Sequence, residues 1–157
     1  MIIKRLDMIP IEVIMRNLAT GSAAKRLGVE EGGQLERPVL EYHLKDNEKD
    51  DPIVDDHHIL AFEYASAEEL KQIERFARKI NAILKSFFQR RNLVLVDFKL
   101  EFGRNKNGKL TLGDEISADT CHFLDAETGQ KLDKDKLRQD PSKIEESYED
   151  VRQRVFK

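Results

Sequence analysis

Asp97, Lys99 and Glu101 stand at every second position of Val96-Asp-Phe-Lys-Leu-Glu-Phe-Gly103, with large apolar residues between them. A strand sends alternate side chains to opposite faces. This spacing therefore puts two carboxylates and an ammonium on one face, and Phe98, Leu100 and Phe102 on the other. Such a row offers oxygen ligands for a divalent cation and positive charge for a phosphoryl group. Asn107-Gly108 follows, a strong signal for a hairpin with a two-residue loop. Beyond it runs Lys109-Leu-Thr-Leu-Gly-Asp-Glu115. With that loop, Lys106 pairs with Lys109 and Glu101 falls opposite Asp114. Facing carboxylates repel across a ladder unless a cation separates them. Mg²⁺, held by one or two carboxylates plus phosphate oxygens, is the natural occupant. A four-residue loop would shift the register and break the pairing. Lys99 between two acids reads equally as a structural ion pair.

The elements that must carry these residues follow from the rest of the chain. Its 157 residues suit one domain with a real core, being 39% hydrophobic and 36% charged. With 27 basic and 30 acidic residues intermixed, net charge is −3, which argues against a general nucleic-acid binder. A single cysteine, Cys121, excludes an internal disulfide and a cysteine-only zinc site and suits a reducing compartment. No apolar run is long enough to span a membrane, and Met1-Ile-Ile-Lys-Arg-Leu-Asp7 lacks a signal-peptide layout. The expected location is the cytoplasm.

Ile2-Ile3 and Pro10–Arg16 read as strands, so the chain starts abruptly, as though something once preceded it. Thr20–Gly28 reads as a short helix, with Thr20 or Ser22 as N-cap and Gly28 as the stop. Arg16, Lys25 and Arg26 near its start make a candidate phosphate site, although capping explains Ser22 and Gly28 without any ligand. Pro38–Lys45 reads as a strand, and Asp46–Pro52 as an acidic loop. Adjacent His57 and His58 point in different directions, which favours a helix start over a metal site. Ser66-Ala-Glu-Glu69 is a capping box opening a core helix to about Arg91, with Leu70, Ile73, Ala77, Ile80, Leu84 and Phe87 on one stripe. Ile116–Asp125 reads as loop with a short strand, and Cys121-His122 as a weak zinc pair. Gly129–Gln139 is dense in charge, either a solvated helical surface or a lining for an anionic substrate. Ser142-Lys-Ile-Glu145 is a second capping box, opening a last helix.

Taken together, these residues resemble the SAICAR synthetase (phosphoribosylaminoimidazole-succinocarboxamide synthase) family. The resemblance rests on Val96–Gly103 with Leu112-Gly-Asp-Glu115, and on Leu6-Asp-Met-Ile-Pro-Ile-Glu12 running into Arg16-Asn17, Gly21-Ser22 and Lys25-Arg26-Leu-Gly28. Leu44-Lys45, Asp51-Pro52 and Lys131–Gln139 extend it over nearly the whole chain, in order. It implies an α+β fold with an antiparallel sheet and helices, the C-terminal lobe of a distantly kinase-like enzyme. Residues 1–17 would be a hinge and remnant strands of the nucleotide lobe. Residues 18–157 would be the substrate- and magnesium-binding domain. The implied activity is ATP-dependent ligation of L-aspartate to 5-aminoimidazole-4-carboxylate ribonucleotide in purine synthesis.

Under this resemblance Glu101 and Asp114 hold Mg²⁺, and Asp97 and Lys99 sit beside the reacting carboxylate. Arg16 and Ser22, with Lys25 or Arg26, match the ribonucleotide site. Met8 packs against adenine, while Lys45, Asp51, Lys134 and Arg138 line the substrate cleft. His122 stands where the family commonly has Arg, which weakens a phosphate pocket. Pro141-Ser142-Lys143 replaces a small glycine-containing turn. The family's glycine-rich N-terminal lobe is missing, so little activity is expected of this polypeptide alone. An exposed strand edge at the N-terminal end, with self-association into a homo-oligomer, is also expected. Two other readings compete. One is a non-catalytic ribonucleotide-binding fragment or interaction module. The other is a kinase-like phosphotransferase, disfavoured because Gly-Asp-Glu replaces Asp-Phe-Gly and no His-Arg-Asp precedes the acidic strand.

Overall fold

The computed structural model describes residues 5–46, 51–132 and 144–156. Alternation builds its centre. Ile9, Ile11, Val13 and Met15 of β1 (Asp7–Ala19) all point into one core, at most 1% exposed, and Glu12, Ile14 and Arg16 point the other way. β2 (Gly33–Leu44) pairs antiparallel with one side of β1, and β4 (Leu93–Arg104) with the other. The two-residue β3 (Ile53–Val54) flanks β2. β5 (Leu110–Leu112) and β6 (Cys121–Asp125) share the far side of β4, one at each end. The α+β expectation is met by one antiparallel sheet, ordered β3-β2-β1-β4-β5 with β6 also on β4.

β4 carries a phase change that alternation in sequence does not show. Leu93 and Leu95 face the core, and so do Phe98, Leu100 and Phe102. Odd positions give way to even ones at a bulge between Leu95 and Asp97. The bulge keeps Asp97 out of the apolar core and on the face shared with Lys99 and Glu101.

The helices that follow β3 cover the core face and give it Ile59, Leu70, Ile73 and Val151. α1 (Gly21–Leu27) ends at Gly28, whose φ of 65° is the left-handed stop expected there. α2 (Asp56–Ala61) starts at Asp55 in a capping box with His58, so the two histidines belong to a helix start. α3 (Ala67–Gln89) has the Ser66/Glu69 capping box and buries Leu70, Ile73, Ala77 and Phe88. Asn81 of α3 and Asn17 of β1, both buried, exchange two amide hydrogen bonds of 2.9 Å. Phe88 meets Phe123 of β6 edge-on, with ring centroids 4.5 Å apart. α4 (Ile144–Val155) adds Val151 to this core. Among the described residues no helix is long and apolar enough to cross a membrane.

Two expectations need correction. From Glu12 to Arg16 β1 is paired with β2 on one side and β4 on the other, so that part of the strand leaves no exposed edge. β1 itself extends from Asp7 to Ala19, with a register shift against β2 between Arg16 and Leu18. The hairpin loop is one residue longer than expected. Asn105 bonds to Lys109, and Lys106, Asn107 and Gly108 form the loop, with Gly108 at φ 71°. Phe102 therefore pairs with Leu112, and Glu101 bonds to Gly113 rather than facing Asp114. The expected strand at Ile2-Ile3 and the Ser142/Glu145 box lie outside the described residues.

Candidate active site

The face of the sheet opposite the helices brings charged residues from four strands together. Register fixes the rows. Arg16 lies opposite Asp97, Ile14 opposite Lys99 and Glu12 opposite Glu101. On the β2 side, Ile14 lies opposite Glu41 and Glu12 opposite His43. β6 sets His122 opposite Asp97.

Two networks cross this face. In the first, Arg16 donates from Nε to Glu41 Oε2 at 2.7 Å and from Nη1 to Asp97 Oδ2 at 2.8 Å. His122 Nδ1 lies 2.6 Å from Asp97 Oδ1. Arg26 of α1 donates to the other oxygen of Glu41, and His43 Nε2 lies 3.6 Å from Oε2, the oxygen that Arg16 holds. Arg16, Glu41 and Asp97 are all buried. Burial pushes the Glu41 carboxyl up, but the nearby His43, the Arg16 hydrogen bond and the two arginine charges outweigh it and hold it at about 2. The neighbouring Glu41 carboxylate pushes the His43 imidazole above its ordinary value, against its own burial.

The second network is Glu12, Lys99, Glu101 and Lys45. Lys99 Nζ lies 3.0 Å from Glu12 Oε1 and 3.7 Å from Glu101 Oε1. Lys45 Nζ lies 2.7 Å from Glu101 Oε2. Burial lowers the Lys99 value, but Glu12, Glu101 and Asp114 together raise it, so Lys99 stays a cation. The argument that facing carboxylates need a cation therefore holds with a different partner. Glu12, not Asp114, faces Glu101, and the cation between them is Lys99.

The other expected residues divide clearly. Asp114 sits on the loop after β5, near enough to act on Lys99, and its Oδ1 accepts from the Glu115 N–H. Met8 lies over two glycines. A Cβ added at Gly103 would come 2.9 Å from Met8 Sδ, and one at Gly113 would come 2.8 Å from Met8 Cε. Arg26 joins the site through Glu41, whereas Ser22 and Lys25 are exposed on α1. Asp51 closes its own loop: its side chain accepts from the Asp46 N–H and its carbonyl faces His43 Nδ1. Lys134 and Arg138 lie outside the described residues. Sequence reasoning missed Glu12, Glu41 and His43, although alternation in β1 and β2 already put them in phase with Arg16 and Lys45.

Mg²⁺ can be tested against the donor set. Glu101 and Asp114 offer two carboxylates, which suits an ion that completes its shell with phosphate and water oxygens. No group of three or more possible metal ligands occurs among the described residues, so these residues supply only part of such a shell. The residues fit a shared ion and not a closed protein cage.

Residues 1–155 match the SAICAR synthetase family model. The phosphoribosylaminoimidazole-succinocarboxamide synthase of Chlorobium phaeobacteroides (strain BS1) is 51% identical over 156 residues, 99% of this chain and 66% of that protein. That of Desulfitobacterium hafniense (strain Y51) is 51% identical over 155 residues, 99% of this chain and 65% of that protein. The chain thus spans about 65% of the length of these curated relatives. A SAICAR synthetase (Type-2) in complex with ADP superposes with TM-score 0.91 and 44% identity, over 96% of this chain and 64% of that one. The Pyrococcus horikoshii SAICAR synthetase gives 0.91 and 43%, over 97% and 66%. With identity spread along nearly its whole length and a backbone shared this closely, the chain belongs to the SAICAR synthetase family.

Proposed function

We propose that the chain is the substrate-binding part of an ATP-dependent ligase joining L-aspartate to 5-aminoimidazole-4-carboxylate ribonucleotide, giving SAICAR, ADP and phosphate. The observation that carries this reading is the four-strand charged face, where Arg16, Asp97, Lys99 and Glu101 lie on adjacent positions of paired strands. ADP in the complex of a related synthetase supports ATP as the co-substrate.

The residues divide the work by charge. Arg16 has five N–H donors, and its bonds to Glu41 and Asp97 fix the plane of the fork for an incoming phosphate or carboxylate. Arg26 adds a second guanidinium through the shared Glu41, with Ser22 and Lys25 at the rim. His122 takes the position beside Asp97. Both Asp97 oxygens already have partners, so Asp97 orients Arg16 and His122 and does not serve as a free base. Lys99, kept protonated, offsets negative charge as the ribonucleotide carboxylate is activated. Glu101 and Asp114 would hold Mg²⁺, which neutralises phosphate charge when bound. Met8, seated on Gly103 and Gly113, offers an apolar surface for the base. Lys45 and Asp51 line the cleft in this reading. The protein acts in the cytoplasm.

The chain supplies only one wall of a nucleotide site. Calorimetric titration with the ribonucleotide and with MgATP tests this. Ribonucleotide binding with weak MgATP binding and little SAICAR formation is the expected result. Turnover near that of a full-length relative would refute the partial-site reading. Failure to bind the ribonucleotide would refute the ligase reading.

A further inference from the structure

The oxygens of Glu101 each face an ammonium. Oε2 is 2.7 Å from Lys45 and Oε1 is 3.7 Å from Lys99. The Glu101 side chain is only 12% exposed, so these ammonium groups, not water, provide much of its solvation. A divalent cation that binds Glu101 competes with these ammonium groups for the same carboxylate. The two lysines differ in what they keep. Lys99 retains Glu12 at 3.0 Å and the charge of Asp114. Lys45 has no other carboxylate partner among the described residues. Its backbone is fixed at the end of β2 by an N–H bond to the Pro10 carbonyl, while its side chain is 39% exposed.

We propose that Lys45 is the resident counter-ion of Glu101, exchanged for the divalent cation when that cation binds. The exchange returns a flexible ammonium to the site face at the moment the metal arrives. The freed Lys45 then meets an anionic substrate group, a carboxylate or a phosphate, so metal and anion binding are reciprocally coupled. Without metal, Lys45 spares the site an uncompensated half-buried carboxylate. This inference rests on the ligase reading, which places Mg²⁺ at Glu101.

Mn²⁺ titration followed by the electron paramagnetic resonance of the free ion tests it. Lys45→Met keeps the chain length of the side chain and removes the charge, and is expected to tighten Mn²⁺ binding about three- to tenfold. Glu101→Gln is expected to abolish binding. Lys106→Met, which removes a charge from the hairpin loop, reports the general field and is expected to change affinity by less than about twofold. In the unaltered chain, nitrogen-15 spectra of the lysine ammonium groups should show the Lys45 signal moving toward that of an exposed lysine as Mg²⁺ is added, with Lys99 unmoved. Equal affinity with and without Lys45, an increase no greater than for Lys106→Met, no Mn²⁺ binding by either chain, or a Lys45 signal unmoved by Mg²⁺ would each overturn the proposal. The two readings fail separately. Exchange at Lys45 without SAICAR formation keeps this inference and removes the ligase, and SAICAR formation with an immobile Lys45 does the reverse.

Discussion

Arg16 is the residue on which the first network turns, because it alone separates two buried carboxylates, Glu41 and Asp97. Arg16→Ala should cost about 3–5 kcal/mol, since it removes the cation between two buried carboxylates and leaves Glu41 to Arg26 and Asp97 to His122. A urea unfolding curve that barely moves would contradict this. The same network sets a pH dependence. Glu41 is depressed from 4.5 to about 2, so its contribution is present above 4.5 and lost as pH falls toward 2. His43 is raised above 6.5, so its contribution is present below 6.5 and lost as pH rises through its folded value. Stability should therefore peak at about pH 5–6.5 and decline on either side. His43→Gln should flatten the alkaline decline and leave the acid one. An alkaline decline that survives this substitution would assign it to another group.

Among the elements, the main strands, the Gly28 stop and the Ser66/Glu69 capping box were legible because their signals are local, whereas the Asp55/His58 box was not read. Ser66 and Glu69 sit three apart and cap α3 as their types require. Ser66→Ala should cost about 1 kcal/mol, measured by thermal or urea unfolding. Register was less legible, because it depends on a single residue of loop length. Asn107-Gly108 announced a turn, but Lys106 joined the loop and moved Asp114 off Glu101. The bulge before Asp97 has no sequence mark in the run Leu93–Val96, where every residue is apolar. Pairing between distant strands was out of reach, and so the partners Glu12 and Glu41 escaped notice. The Asn17–Asn81 amide pair is a further non-local feature, joining α3 to β1. Asn81→Ala should leave Asn17 without that partner and cost about 1–3 kcal/mol. An unchanged urea midpoint would show that water replaces the amide.

At the scale of the whole molecule, one core ties the sheet to α3 and α4, and Phe88 lies where they meet β6. Phe88→Ala should cost about 3–5 kcal/mol and loosen α4 along with β6. Hydrogen exchange confined to α3 in that variant would argue against the coupling. Because β1 is paired on both sides between Glu12 and Arg16, self-association through that stretch of its edge is closed off. Under that same core lies Cys121, 1% exposed, its thiol pushed up to about 12 by burial in spite of the Thr120 hydroxyl. It is the sole sulfhydryl of the chain, and it pairs with Phe98 on the strand that carries Asp97 and Lys99. The protein thus contains its own clock. An alkylating reagent has one target, and it reacts only while β6 is lifted from β4. The rate of modification therefore counts the openings of the charged face from beneath, and a ligand gripping Asp97, Lys99 or His122 should slow it without touching the sulfur.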